Sequence, residues 1–341
     1  MAGEEEWTSL ALTFSFSSFG LCGYILYVYV ISKDNQQRFV NPFYYLTLSW
    51  TIPEIYRVLQ GLIISSPVLI ADIFTKNSPD WIPKWYRTIT GFLHMVSWLA
   101  SVSHMLVLAV NRVIAIYKPA DYKRLYTHTR CAAILLFCYF YSVFVSALML
   151  FGDCRYEFAD FSWRIVSSSN NVPLTLSNQT LAWPSTQCSQ VVYKMYLATW
   201  NVQVILTFLL DIGAVLAVLI FKRRLHDRFR QRSLRRLANK QWSLTAQFTV
   251  TVALLTIYVC IYWMAPLFVR ANWLSQSVAS ILTNSLQLFT CALNPYVYIL
   301  LGAMVRRQVF GLPKHGSHHS EHVNESGYVK RQVQGCASSA C

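Results

Sequence analysis

The chain is poor in charge. Asp, Glu, Lys and Arg make up only 13% of its 341 residues, about half the share of an ordinary soluble domain. That scarcity excludes a disordered chain, a coiled coil and a nucleic-acid-binding tail. It also argues against a soluble enzyme whose surface meets water on every side. Cysteine is sparse as well: nine residues, scattered, with no C-x-x-C pair, which excludes a disulfide-built scaffold and a zinc site. There is no HExxH, no GxSxG and no pair of carboxylates at helical spacing in two apolar runs, so the marks of a membrane enzyme are missing. No cofactor or metal is expected. The last apolar run contains no lysine, which excludes a Schiff-base chromophore there. The two halves of the chain share no repeat, against a transporter built from duplicated bundles.

What the chain does have is long apolar runs. A helix needs about 20 mostly apolar residues to cross a bilayer core. Seven stretches qualify, at 10–31, 43–65, 89–116, 131–151, 192–221, 244–269 and 277–301. In lipid every backbone polar group must bond internally, so each is read as a helix. The fold class is therefore an all-α membrane protein, a seven-transmembrane helix bundle over 10–301. It is preceded by an outer segment 1–9 and followed by a membrane-surface helix 302–311 and a disordered tail 312–341. The third run holds His94, Ser97, Ser101, Ser103 and His104, and a span that polar belongs in the middle of the bundle. The first run follows Glu4, Glu5 and Glu6 rather than a basic leader, and at 22 residues it is long for a signal core, so it reads as a retained span.

Basic residues fix the expected orientation. Twenty-one of the 29 Lys and Arg fall on one set of alternate loops, against seven on the other. The rich side includes Lys118, Arg130 and nine residues between Lys222 and Lys240. That side is expected to be cytoplasmic, which puts the N-terminus outside and the C-terminus inside. Two sequons make the expectation testable. Asn178 in the loop 153–191 lies on the outer side and is a glycosylation candidate, whereas Asn324 lies on the inner side and should stay bare.

Two local motifs carry chemistry. Asn294-Pro295-Tyr296-Val297-Tyr298 sits near the inner end of the seventh run. Proline removes a backbone bond and opens the helix. Asn294 is placed to fill the freed positions, and Tyr298 one turn on is placed to swing as a latch; the plain alternative is a proline kink. Asn111-Arg112 ends the third run, with Pro119 and Tyr122 after it. An arginine at that depth needs water, a carboxylate or carbonyls, unless it merely snorkels to the surface.

Seven spans, these two motifs, Ala115–Pro119 reading AIYKP, Asp211 in span five and Cys188 before it together resemble a rhodopsin-like G-protein-coupled receptor. More narrowly they resemble the nematode serpentine chemoreceptors of class Srx. The resemblance covers about residues 10–310. It implies that a small molecule or peptide binds between the outer helix halves, that span six then moves, and that Arg112 meets a heterotrimeric G protein. It implies a plasma-membrane location, with the ciliary membrane of sensory neurons as the narrower form. Some positions depart from the family. Asn111 replaces the usual acidic neighbour of Arg112. Arg87 stands where a cysteine usually ties span three to the outer loop, so a bridge between Cys154 and Cys188 inside that loop is expected instead. A sodium site is not expected in span two. In span six, Trp263 lies three residues before Pro266 rather than two, leaving Tyr262 and Trp263 both open as the moving aromatic.

The candidate pocket follows from helical spacing. His94 lies 18 residues before Arg112, five turns at 3.6 residues per turn, so both project from one face about 27 Å apart. His94 is the first candidate for a polar ligand contact, flanked by Met95 and Trp98; a histidine satisfied by protein neighbours is the alternative. Tyr196, Trp200, Tyr262, Trp263, Asn284 and Gln287 complete the set. No aspartate lies near His94, which argues against a monoamine. Glu54 and Arg57 in span two share a face and are expected to pair, and Asp211 has no partner in sequence.

The segment Lys222–Lys240 places Leu225, Phe229, Leu234 and Leu237 at helical spacing, reading as extensions of spans five and six at an anionic membrane surface or a G protein. Arg306, Arg307, Val309 and Phe310 suit a helix lying on the membrane. His315, His318, His319 and His322 in the tail read as disordered rather than metal-binding, and Cys336 and Cys341 are acylation candidates. A transporter or channel subunit is the second reading, resting on Glu54, Arg57 and Asp211 as intramembrane charges.

Overall fold

The computed structural model describes residues 4–33, 42–75, 83–118, 122, 124–151, 154–159, 162–167, 190–228 and 232–301. It contains the seven expected spans. They are α1 (Glu4–Lys33), α2, α3 (Lys84–Tyr117), α4 (His128–Phe151), α5 (Gln190–Arg228), α6 (Arg232–Arg270) and α7 (Gln276–Leu301). The second span is continuous but irregular: α2 is made of Pro42–Gln60, a π-helical turn Gly61–Ser65 and Ser66–Thr75. Six of the seven are long and apolar enough to cross a membrane. α7 has no charged side chain, but Ser280, Asn284, Ser285, Gln287, Thr290 and Asn294 lower its apolar character, and all six are buried. A polar face of that kind belongs inside a bundle.

α3 is the central rod. It packs against α2, α4, α5 and α6, and His94, Ser97, Ser101, Ser103 and His104 are all buried along it, as their polarity requires. The outer surface is apolar instead: Leu136, Phe137, Phe140 and Phe144 of α4 and Ile205, Leu209 and Leu216 of α5 face outward, as lipid-facing side chains do. α5 and α6 are 39 residues each, about 58 Å at 1.5 Å per residue and longer than a whole bilayer. The helical extensions read from the basic segment are therefore present in the backbone.

α1 and α7 approach so closely that glycine is needed. A Cβ on Gly20 would lie 3.0 Å from the Ala292 Cα, and one on Gly23 only 2.8 Å from the Pro295 ring. Packing between membrane helices favours such small residues.

Two helix breaks are repaired in the same way. Pro53 cannot donate to the carbonyl of Ser49; the Tyr139 hydroxyl of α4 donates to it instead, at 2.8 Å. Pro295 likewise leaves the carbonyl of Cys291 without its helical donor, and the Tyr24 hydroxyl of α1 donates to it at 3.0 Å. This corrects the expectation that Asn294 fills the gap. An amide side chain one residue before the proline reaches away from that carbonyl, whereas α1 lies directly across it.

The bundle is not purely helical. The loop after α4 forms a hairpin, β1 (Cys154–Ala159) with β2 (Ser162–Ser167), antiparallel with Cys154 opposite Ser167 and Ala159 opposite Ser162. The segment alternates Tyr156 and Phe158 with charged residues and carries Trp163 and Ile165, a period-two pattern of strand-favouring residues. β1 packs against α3 and α4, and β2 reaches α7. Asn178, Cys188 and hence the Cys154–Cys188 pairing, Asn324, and the segments 302–311 and 312–341 lie outside the described residues.

Candidate functional site

Three layers follow one another along the seam between α2, α3 and α7, labelled outer at the His94 end and inner at the Arg112 end after the orientation expected from the basic loops. The outer layer centres on His94. Its Nδ1 lies 2.7 Å from the Gln60 Oε1. An amide oxygen only accepts, so Nδ1 carries the proton. Nε2 is then an acceptor, and the Gln287 amide stands 3.4 Å away as its donor. Gln60 is held in turn: its Nε2 donates to the Thr90 carbonyl at 2.9 Å and to the Tyr56 hydroxyl at 3.0 Å. His94 and Gln287 are thus brought together, with both ring nitrogens engaged by protein. A ligand that used His94 would have to exchange for Gln60 or Gln287. Asn284 turns elsewhere and donates to Thr13 of α1 at 3.3 Å.

Beside this layer is an aromatic hub. Trp98 meets Trp200 at 5.7 Å and Tyr258 at 5.4 Å between ring centres, both edge to face. Trp200 meets Tyr262 edge to face at 6.0 Å and stacks on Trp263 at 6.4 Å. Such contacts add about 0.5–1.5 kcal/mol each to plain burial. Met95 and Tyr196 belong to the same buried cluster. The two span-six candidates separate here. Tyr262 packs inward against the cluster with Tyr258. Trp263 is 40% exposed at the α5–α6 edge and donates its indole N–H to Asn201 at 3.1 Å. Tyr258 was not among the sequence candidates, although it lies four residues before Tyr262 on the same helix face. Gln60 was also missed; an amide in an apolar span was the signal.

The middle layer is ionic. Glu54 and Arg57 pair, as their spacing predicts. Ser101 donates to the Glu54 Oε1 at 2.6 Å, and Asn294 reaches the Oε2 at 3.5 Å. Asp211 also gains a partner, the Thr249 hydroxyl of α6 at 3.1 Å.

The inner layer is closed. Arg112 is 2% exposed. Asn111 does not restrain it by charge; its Nδ2 donates to the Tyr122 hydroxyl of the following loop at 3.1 Å. Tyr122 packs on Tyr126 at 5.3 Å. Burial pushes the phenol of Tyr126 up to about 12, with Tyr122 beside it adding to the shift. Tyr298 is buried between Tyr27 and Trp50, both 5.9 Å away. The inner half of α6 is tied down by Thr249 to α5 and by the Ser243 hydroxyl, which donates to the Leu301 carbonyl at 2.6 Å. Among the described residues no group of three His, Cys, Asp or Glu side chains is placed to hold a metal ion.

Seven spans around a polar seam, an aromatic hub on one side and an occluded arginine at the end of α3 define a seven-transmembrane receptor of the G-protein-coupled type. The chain belongs to the serpentine type 7TM GPCR chemoreceptor Srx family, whose pattern it matches over residues 14–292. This is a family of receptors, not enzymes. The fold is similar to that in the crystal structure of squid rhodopsin, with a TM-score of 0.69 over 92% of this chain and 87% of that one, at 14% identity. No curated protein matches.

Proposed function

We propose that the protein binds a small molecule or peptide between the outer halves of α3, α5, α6 and α7 and, on binding, activates a heterotrimeric G protein through Arg112. The observation that carries this reading is the burial of Arg112. A cation buried at that depth is costly and marks a functional position, and the inner half of α6, which would have to move, is tied to its neighbours by side-chain bonds such as Thr249 to Asp211 and Ser243 to the Leu301 carbonyl. The outer layer supports the ligand chemistry. Gln60, His94 and Gln287 offer an uncharged hydrogen-bonding set beside aromatic walls. Among the described residues of the seam the acid is Glu54, and it is already engaged by Arg57, which disfavours a cationic amine. An uncharged ligand with an aromatic or aliphatic body suits the site.

Arg112→Ala is expected to abolish ligand-stimulated signalling while surface expression survives, measured in cells carrying a promiscuous G protein and a panel of candidate ligands. Full signalling by that variant would refute the coupling role. The basic loops support a cytoplasmic C-terminus and an outer N-terminus at the plasma membrane. Glycosidase treatment is expected to shift the mass of the wild type but not of Asn178→Gln, with Asn324 bare throughout. A glycan on Asn324 would reverse the orientation.

A further inference from the structure

The Glu54–Arg57 pair has no part in the coupling step described so far, yet burying two charges in the seam is costly. Glu54 is 1% and Arg57 5% exposed. Two apolar side chains would fill the same space without removing two charges from water. The pair is also a junction. Arg57 Nη2 binds the Glu54 Oε1 and donates to the Ser101 Oγ at 3.1 Å, and Ser101 closes the triangle on the same carboxylate oxygen. The other oxygen takes Asn294, the residue before the Pro295 break. The far side of the guanidinium faces the aromatic hub: its carbon lies 5.0 Å from the centre of the Trp98 ring. A cation over an indole face at that distance is attracted by the ring. Arg57 therefore touches the hub of the candidate pocket and, through one carboxylate, the hinge of α7.

We propose that Arg57 is a positioning residue, a cation tethered inside the bundle that couples the position of Trp98 to the Glu54–Asn294 contact and so to α7. The inference rests on the coupling function proposed above. While Trp98 is seated against Trp200 and Tyr258, the guanidinium is held over its face and presents Nη2 to Glu54. Glu54 then keeps α2, α3 and α7 together. A ligand that displaces Trp98 withdraws one of the three holds on Arg57, leaving Glu54 and Ser101. The carboxylate node loosens, and α7 is released at the point where Pro295 has already removed a backbone bond. The carboxylate node thus adds a restraint set deeper in the bundle than the Asn111–Tyr122 contact.

The test uses the full-length chain in membranes with a promiscuous G protein. It reads ligand-free nucleotide exchange, normalised to surface receptor and measured above the Arg112→Ala level. Neutralising both charges together, in Glu54→Gln/Arg57→Gln, is expected to raise that exchange about tenfold, the effect of losing one charge-assisted hydrogen bond. Trp98→Leu leaves the ion pair in place and is expected to raise it about threefold through loss of the ring contact. A folded double variant with exchange within about twofold of the wild type would overturn the proposal. If the double variant fails to reach the surface, Trp98→Leu decides alone: a rise supports the coupling, and no change overturns it. Wild-type and variant exchange all equal to that of Arg112→Ala would sink the coupling reading itself, and this inference with it.

Discussion

The contact between Asn111 and Tyr122 offers the sharpest test of how the inner mouth is kept shut. Asn111 is completely buried. Its amide donates to the Tyr122 hydroxyl at 3.1 Å, and that hydroxyl stands 3.4 Å from the Asn111 Oδ1. Tyr122→Phe deletes the oxygen and little else, because the ring still packs on Tyr126. The amide then loses this partner in a place no water reaches and keeps only the Tyr126 hydroxyl. Losing one hydrogen bond costs about 0.5–1.5 kcal/mol, and about 1.4 kcal/mol is a tenfold change in an equilibrium. If the loop carrying Tyr122 is seated on α3 only in the closed form, the whole penalty falls on that form. Ligand-free nucleotide exchange should then rise by up to roughly tenfold at unchanged surface expression. Exchange equal to the wild type, with receptor at the surface in equal amount, would refute the idea that Asn111 restrains the loop in place of an ion pair.

Other outcomes follow from the same geometry. Tyr139→Phe should strand the Ser49 carbonyl that Pro53 leaves open and lower stability by about 1–3 kcal/mol, read as an earlier thermal unfolding of the solubilised protein; an unchanged transition would show that the carbonyl finds another donor. The loop tyrosines predict an alkaline limit. Tyr126 titrates at about 12 in place, against an ordinary value of 10.0, so its neutral form is favoured by folding. That contribution is fully present below pH 10 and is lost as pH rises from about 10 to about 12. Tyr126→Phe should flatten the fall in thermal stability across that window, and an equally steep fall in the variant would exclude Tyr126 as its source.

Much of the architecture is legible in the chain because the bilayer imposes one rule on every span: enough apolar length, and a backbone bonded within itself. That rule yields seven helices from hydropathy, and the polarity of Ser97, Ser101 and His104 places α3 in the middle. The Glu54–Arg57 pair is legible for a related reason, since residues three apart on a helix are neighbours and neither charge can stay alone in lipid. The hairpin after α4 was there to be found in the alternation around Tyr156, Phe158, Trp163 and Ile165, a signal overlooked beside the stronger helical ones.

The candidate site was legible only in part. His94, Trp98, Trp200, Tyr262 and Gln287 are polar or aromatic residues in apolar spans, and the structure gathers them around one seam. Which group satisfies which was not readable. The sequence by itself determined the local terms: span length, the breaks at Pro53 and Pro295, and charges that must find partners. Tertiary structure alone decided that Tyr139 and Tyr24 mend those breaks, that Gln60 fixes the tautomer of His94, that Tyr262 points inward while Trp263 points out, and that Asn111 holds a tyrosine rather than Arg112. The physical reason is that each of these bonds joins different helices, and their partners are set by how rigid rods rotate and slide against one another until the buried polar atoms are matched. No spacing along a single rod contains that information.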